Sequence, residues 1–146
     1  MPTRDDRHKI YQLIYVSGAT LPMSGPDLRS LANKSALSNE QLGITGLLLY
    51  HEQRFMQFLE GDVFSVGGKF EVIRNDPRHH GVYVLRRRFV VQRQFPDWSM
   101  RLAEPDEISE RSSEIYDHLF NGADVDVPLR QDAAETWAIL NAFHYS

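Results

Sequence analysis

Hydrophobic and polar residues alternate along the first part of the chain in two distinct periods. Ile10 to Ser17 (IYQLIYVS) is short, β-branched and aromatic, and reads as a strand ended by Gly18. The period of two puts Tyr11, Leu13, Tyr15 and Ser17 on one face, and Ile10, Ile14 and Val16 on the other. Ser24-Gly25-Pro26-Asp27 is a helix start with a box-like cap. Leu28, Leu31, Ala32 and Ser35 then form a helical stripe that runs to about Ser38. Ile44 to Tyr50 (ITGLLLY) is an apolar strand, His51-Glu52-Gln53 a polar turn, and Arg54 to Glu60 (RFMQFLE) its hairpin partner. Val63, Phe64, Val66, Phe70 and Ile73 mark a second amphipathic helix. Gly67-Gly68 lies inside it, at a cost of about 1 kcal/mol per glycine relative to alanine. Strands follow at about Tyr83 to Gln92 and about Asp97 to Leu102.

The order β-α-β-β-α-β-β, with a hairpin in the middle and each helix crossing back over the sheet, predicts an α+β ferredoxin-like sandwich with an added strand. Two additional C-terminal helices are expected, at about Ile108 to Phe120 and Pro128 to Tyr145. Leu129, Ala133, Trp137 and Leu140 form a stripe on the second, with a weaker one at Ile108, Ile115 and Leu119 on the first. The expected domains are 10–102 and a C-terminal helical cap, 103–146. The cap is expected to cover the sheet face that carries Ile10, Ile14 and Val16, because a ferredoxin-like sheet has helices on one face only.

Composition narrows the function classes. The chain has 146 residues, 42% hydrophobic and 25% charged, an ordinary globular balance. A net charge of −4 argues against a general nucleic-acid binder. Without cysteine there is neither a disulfide framework nor a thiolate metal site. The polar N-terminus and the lack of a long apolar run predict a cytoplasmic protein with no membrane span.

Few side chains suggest chemistry alone. Gln57 shares a strand face with Phe55 and Leu59. If that face meets the helices, its amide is buried and both ends need partners. A buried Tyr15 would need a partner for its hydroxyl. Asn39, placed after the first helix, is either a cap or a ligand-binding amide. His79-His80 is a poor metal pair, since adjacent side chains rarely point at one ion. Arg86-Arg87-Arg88 alternates across a strand and reads as a charged edge rather than a basic surface. No nucleophile elbow, phosphate loop or spaced carboxylate pair is present, so no enzyme activity is expected.

Five blocks together resemble the BLUF family, blue-light sensors using FAD. They are Ile14-Tyr15-Val16-Ser17, Asn39 ahead of Gly43 to Tyr50 (GITGLLLY), Phe55 to Gly61 (FMQFLEG), Asp76-Pro77-Arg78-His79 and Phe95 to Met100 (FPDWSM). The resemblance covers about Ile10 to Leu102 and implies the same fold. It implies a flavin between the two helices, with Tyr15 as electron donor and Gln57 bridging Tyr15 to the flavin edge. Asn39 would bond the C4 carbonyl side, and Arg78 and His79 would line the helix end. Trp98 and Met100 would be the last-strand pair that exchange position near the glutamine. FAD is the implied cofactor, with FMN and riboflavin not sharply distinguished because no phosphate grip is evident. A photoreceptor with no activity of its own is expected, which signals to a separate effector protein and forms a homo-oligomer. The alternatives are a light-independent small-ligand regulatory domain and an acyl-phosphate hydrolase of the same fold. The hydrolase lacks a convincing arginine-asparagine phosphate site.

Overall fold

The computed structural model describes residues 9–103, 114–116 and 127–145. The elements run β1 (Ile10–Ala19), α1 (Gly25–Leu42), β2 (Thr45–His51), β3 (Arg54–Gly61), α2 (Val63–Arg74), β4 (His79–Val90) and β5 (Arg101–Ala103), followed by a helix, α3 (Val127–Tyr145). The five strands form one sheet in the order β4-β1-β3-β2-β5. β1 pairs antiparallel with both β3 and β4, and β2 with β3. This is the ferredoxin-like arrangement with an added edge strand. The charged strand β4 is the other edge, as the arginine run predicts.

The sheet face formed by Leu13, Tyr15, Leu48, Phe55 and Leu59 packs with Ala32 of α1 and with Val66 and Phe70 of α2. α1 turns the predicted stripe inward, with Ala32 buried and Leu28, Leu31 and Ser35 half-buried, and starts on a capping box between Ser24 and Asp27. α2 is capped by Asp62, whose carboxylate accepts from the Phe64 and Ser65 amides. The opposite sheet face carries Gln12, Ile14, Leu47, Leu49, Met56, Phe58 and Glu60, all buried.

Four details differ from the sequence expectation. α1 runs on to Leu42, because no helix breaker occurs before Gly43, which caps it at φ 67°. Phe64 is 74% exposed rather than part of the α2 core stripe. Two residues before Val66 means about 200° around the helix, so Phe64 points away from the sheet. β4 begins at His79 and ends at Val90. The last strand is shorter than expected, and residues 91–100 form bends and turns, so Trp98 and Met100 precede β5 rather than lie on it.

The hairpin turn Glu52-Gln53 has φ 50° and 60°, the left-handed pair required by a tight two-residue hairpin. The Gln53 carbonyl then accepts from the Ala19 amide, tying the turn to the end of β1.

Residues 103–146 form a second compact unit. Residues 114–116 are helical, with Ile115 buried and Tyr116 edge-on to Trp137. Ala133, Leu140 and Phe143 of α3 are buried. Ile108 and Leu119, and the side chain of Leu129, lie outside the described residues. No helix among the described residues is long and apolar enough to cross a membrane.

Candidate functional site

A cleft of about 490 Å³, counting its open mouth, lies between α1 and α2. Tyr15 and Gln57 line it from the sheet, Leu31 and Ser35 from α1, and Lys69, Val72 and Ile73 from α2. Asp76, Arg78 and His79 line it from the loop and strand after α2.

Strand register brings the two central residues together. Tyr15 of β1 sits directly opposite Gln57 of β3, and Leu48 of β2 opposite Gln57 on its other side. Residues directly opposite share a sheet face with side chains in contact range. The Tyr15 hydroxyl donates to Gln57 Oε1 at 2.5 Å. Burial pushes the Tyr15 phenol well above its ordinary range, and the negative charge of Asp76 adds to this. The phenol therefore keeps its proton and acts as donor, which leaves the amide's NH₂ end facing away. Gln57 Nε2 points at Met100 Sδ, 3.4 Å away, a weak acceptor. Phe70 packs on the Tyr15 ring at 5.5 Å between centroids.

Asn39 is in the last turn of α1, not after it. Its carbonyl accepts from the Gly43 and Ile44 amides, so its backbone takes the capping role. Its side chain is fully buried, and Nδ2 donates to the Ser99 carbonyl at 2.9 Å. Oδ1 has no hydrogen-bond partner. A buried amide oxygen without a donor costs stability unless a ligand or water supplies one.

His79 bonds Ser17 Oγ through Nδ1 at 2.8 Å and packs on Phe55. Burial lowers its pKa, which favours the neutral ring. Arg78 is clamped by Asp76, with Nε 3.0 Å from both carboxylate oxygens. The Arg78 hydrogen bond holds the Asp76 carboxyl down at about 2. The Thr20 amide and hydroxyl bond the carbonyls of Arg78 and Pro77, fixing this loop to the end of β1.

Six of the seven residues picked out from the sequence converge on this site. Tyr15, Gln57, Arg78 and His79 line the cleft, and Met100 touches Gln57. Asn39 joins them through the Ser99 carbonyl. Trp98 is not among the lining residues: its ring stacks on Phe95 at 5.7 Å, under the Arg101 guanidinium. Sequence reasoning missed Lys69, Asp76, Leu31 and Ser35 as walls of the cleft. Leu31 and Ser35 were legible as α1 stripe positions. A neighbouring cleft, lined by Met23, Asp27, Ser30, Leu31, Lys34 and Arg78, adjoins the first at Leu31 and Arg78. Its two cations, Lys34 and Arg78, are separated in sequence and gave no motif.

Comparison with known proteins points the same way. The family model described as "Sensors of blue-light using FAD" matches residues 10–101. The β subunit of a photoactivated adenylate cyclase from Euglena longa is 38% identical over 92 residues, 62% of this chain and 11% of that protein. The α subunit from Euglena gracilis is 31% identical over 104 residues, 70% of this chain and 10% of that protein. The chain thus spans only about a tenth of the length of these curated relatives. Among solved structures, the dark state of the BLUF protein BlrB aligns with TM-score 0.66 at 31% identity, covering 88% of this chain and 98% of that one. BlrP1 of Klebsiella pneumoniae, in a calcium and cyclic diGMP complex, aligns with TM-score 0.76 at 29% identity, covering 94% and 34%.

Proposed function

The chain belongs to the BLUF family, the sensors of blue light using FAD, and on that premise we propose that it reports blue light through a hydrogen-bond switch between Tyr15 and Gln57. The observation that carries this reading is the buried Tyr15–Gln57 bond at the wall of an open cleft.

The residues present fit a flavin. The cleft has apolar walls at Leu31, Val72 and Ile73 and polar groups at Gln57, Arg78 and His79. The orphaned Asn39 Oδ1 offers an acceptor of the kind a flavin's polar edge can use. Gln57, Asn39, Arg78 and His79 would hold the ring. Bound there, the flavin supplies blue-light absorption and an electron-accepting excited state, while the protein supplies positioning and electrostatics.

Tyr15 holds an oxidisable phenol with its proton already directed at Gln57 Oε1. Losing an electron makes a phenol far more acidic, so the proton has a ready path to the amide. Gln57 offers a donor and an acceptor on one planar group. Turned end for end, the amide presents NH₂ where its oxygen was. Tyr15 must then accept rather than donate, and Met100 Sδ loses its donor. A local change thus reaches Met100 and the loop ahead of β5.

The Euglena relatives are photoactivated adenylate cyclases. For this chain the reading is a sensor with no activity of its own that signals to a separate effector protein. Gel filtration of dark and lit protein tests whether further copies of the chain take part. The decisive experiment is an absorption spectrum of FAD-loaded protein before and after blue light. A small red shift that reverses in the dark is expected. Protein that takes up no flavin, or a Gln57→Leu variant with a native photocycle, would overturn the reading.

A further inference from the structure

Behind the Tyr15–Gln57 pair, on the other face of the sheet, lies a buried carboxylate that the switch itself does not use. Glu60 is three residues beyond Gln57 on β3, so it points away from the cleft. It is fully buried. Its carboxylate accepts from the Gln94 amide at 2.9 and 3.1 Å and from the Phe95 amide at 2.8 Å. Gln12 Nε2 donates to Glu60 Oε2 and to Gln94 Oε1, both at 3.1 Å. Gln12 Oε1 in turn accepts from Arg88 Nε at 3.0 Å. Arg93 closes the arrangement. It donates to the Glu60 backbone carbonyl at 3.0 Å, to Thr45 Oγ1 at 2.9 Å and to the Gly43 carbonyl at the end of α1 at 2.7 Å.

The segment held this way is the one that leads to the switch. Phe95 packs edge-on against Phe58 and stacks on Trp98. The Trp98 carbonyl accepts from the Gly46 amide of β2 at 2.8 Å. Ser99 then meets Asn39, and Met100 meets Gln57. Residues 91–100 have no regular secondary structure, so side-chain bonds must fix their path. Two consecutive backbone N–H groups on one buried carboxylate are a charge-assisted contact of the strong kind. Its burial is also what makes it specific, because no water can replace those donors.

We propose that Glu60 is a positioning residue for the switch: its carboxylate seats residues 93–95 from behind the sheet and so sets where Ser99 and Met100 meet Asn39 and Gln57. This rests on the reading of the cleft as a flavin-based light switch. Glu60 never touches the cofactor, yet the dark and lit arrangements of Gln57 are balanced against a Met100 whose position it determines.

The test is Glu60→Gln in the FAD-loaded full chain, with Leu49→Ala as a control of similar stability loss on the same sheet face. An amide at position 60 keeps the volume but removes the charge and turns one acceptor into a donor, which opposes the Gln94 and Phe95 amides in the place of Oε1 and the Gln94 amide and Gln12 Nε2 in the place of Oε2. Hydrogen exchange at those two amides should rise about tenfold in the dark. The light-induced shift should shrink, or its dark recovery change several-fold, while Leu49→Ala recovers at the native rate. A native shift and recovery in Glu60→Gln would overturn the proposal, as would an equal change in the control. Should Glu60→Gln fail to fold, Arg93→Gln loosens the same segment and is read by the same measurements. Native protein with no light-induced shift at all would overturn the light reading itself. Unaltered Gln94 and Phe95 exchange in Glu60→Gln would overturn the latch alone.

Discussion

The bond between Tyr15 and Gln57 can be weighed without any light, through a double-mutant cycle. Gln57→Leu removes the acceptor of the Tyr15 hydroxyl at little change in volume. Tyr15 is only 1% exposed, so the freed donor has no easy route to water. An orphaned buried polar group costs about 1–3 kcal/mol. Tyr15→Phe does the converse and strands the Gln57 oxygen, again at about 1–3 kcal/mol. The double variant removes both polar ends and leaves apolar groups of similar shape, a change that can be nearly neutral. The cycle should therefore be strongly non-additive, with a coupling of about 1–3 kcal/mol. Each single variant should lower the melting temperature by roughly 2–12 °C, taking about 2–4 °C per kcal/mol for a chain of this size. The double variant should recover most of that loss. The assay is urea and thermal unfolding, run flavin-free and at saturating FAD, because bound ligand adds stability by mass action. Additivity to within about 0.5 kcal/mol would mean the two side chains act independently, and the switch as described would lose its dark state.

Other consequences follow from the same geometry. Asn39→Leu removes both the bond to Ser99 and the orphaned oxygen, and should weaken FAD binding about tenfold, the equivalent of one hydrogen bond; flavin titration followed by fluorescence measures it. Gly46→Ala should cost about 3 kcal/mol, the top of the usual overpacking range, because its Cβ would lie 1.9 Å from the Phe58 carbonyl oxygen; a melt as mild as that of the native chain would contradict the packing. Asp76 has a folded pKa of about 2, below its ordinary 3.8. Its stabilising contribution is therefore complete above about pH 4 and is lost as pH falls towards 2. Asp76→Asn should remove that acid-side part of the melting curve, and an unchanged pH profile would show that the Arg78 clamp adds nothing.

Much of the architecture was legible in the chain because it is carried by local periodicity. The alternation in Ile10 to Ser17 and in Arg54 to Glu60 puts Tyr15 on one face with Leu13, and Gln57 on one face with Phe55 and Leu59. The Ser24–Asp27 box and the stripe from Leu28 to Ser35 place α1. A charged run on one strand marks β4 as an edge. The residue blocks around Tyr15, Asn39, Gln57 and Met100 identified the family without any coordinates.

The rest depends on contacts between residues far apart in sequence. Periodicity says which residues share a face with Gln57, but only the fold turns that face to the helices, and only β1–β3 register sets Gln57 opposite Tyr15. Nothing local says that the Asn39 side chain bonds the Ser99 carbonyl. Residues 91–100 carry no period at all, and their path follows bonds to Gly43, Thr45, Gly46 and Glu60, all distant in sequence. Glu60 itself looks from sequence like a polar residue ending a strand. Only the fold encloses it, and enclosure is what turns an ordinary carboxylate into a fixed anchor for backbone amides.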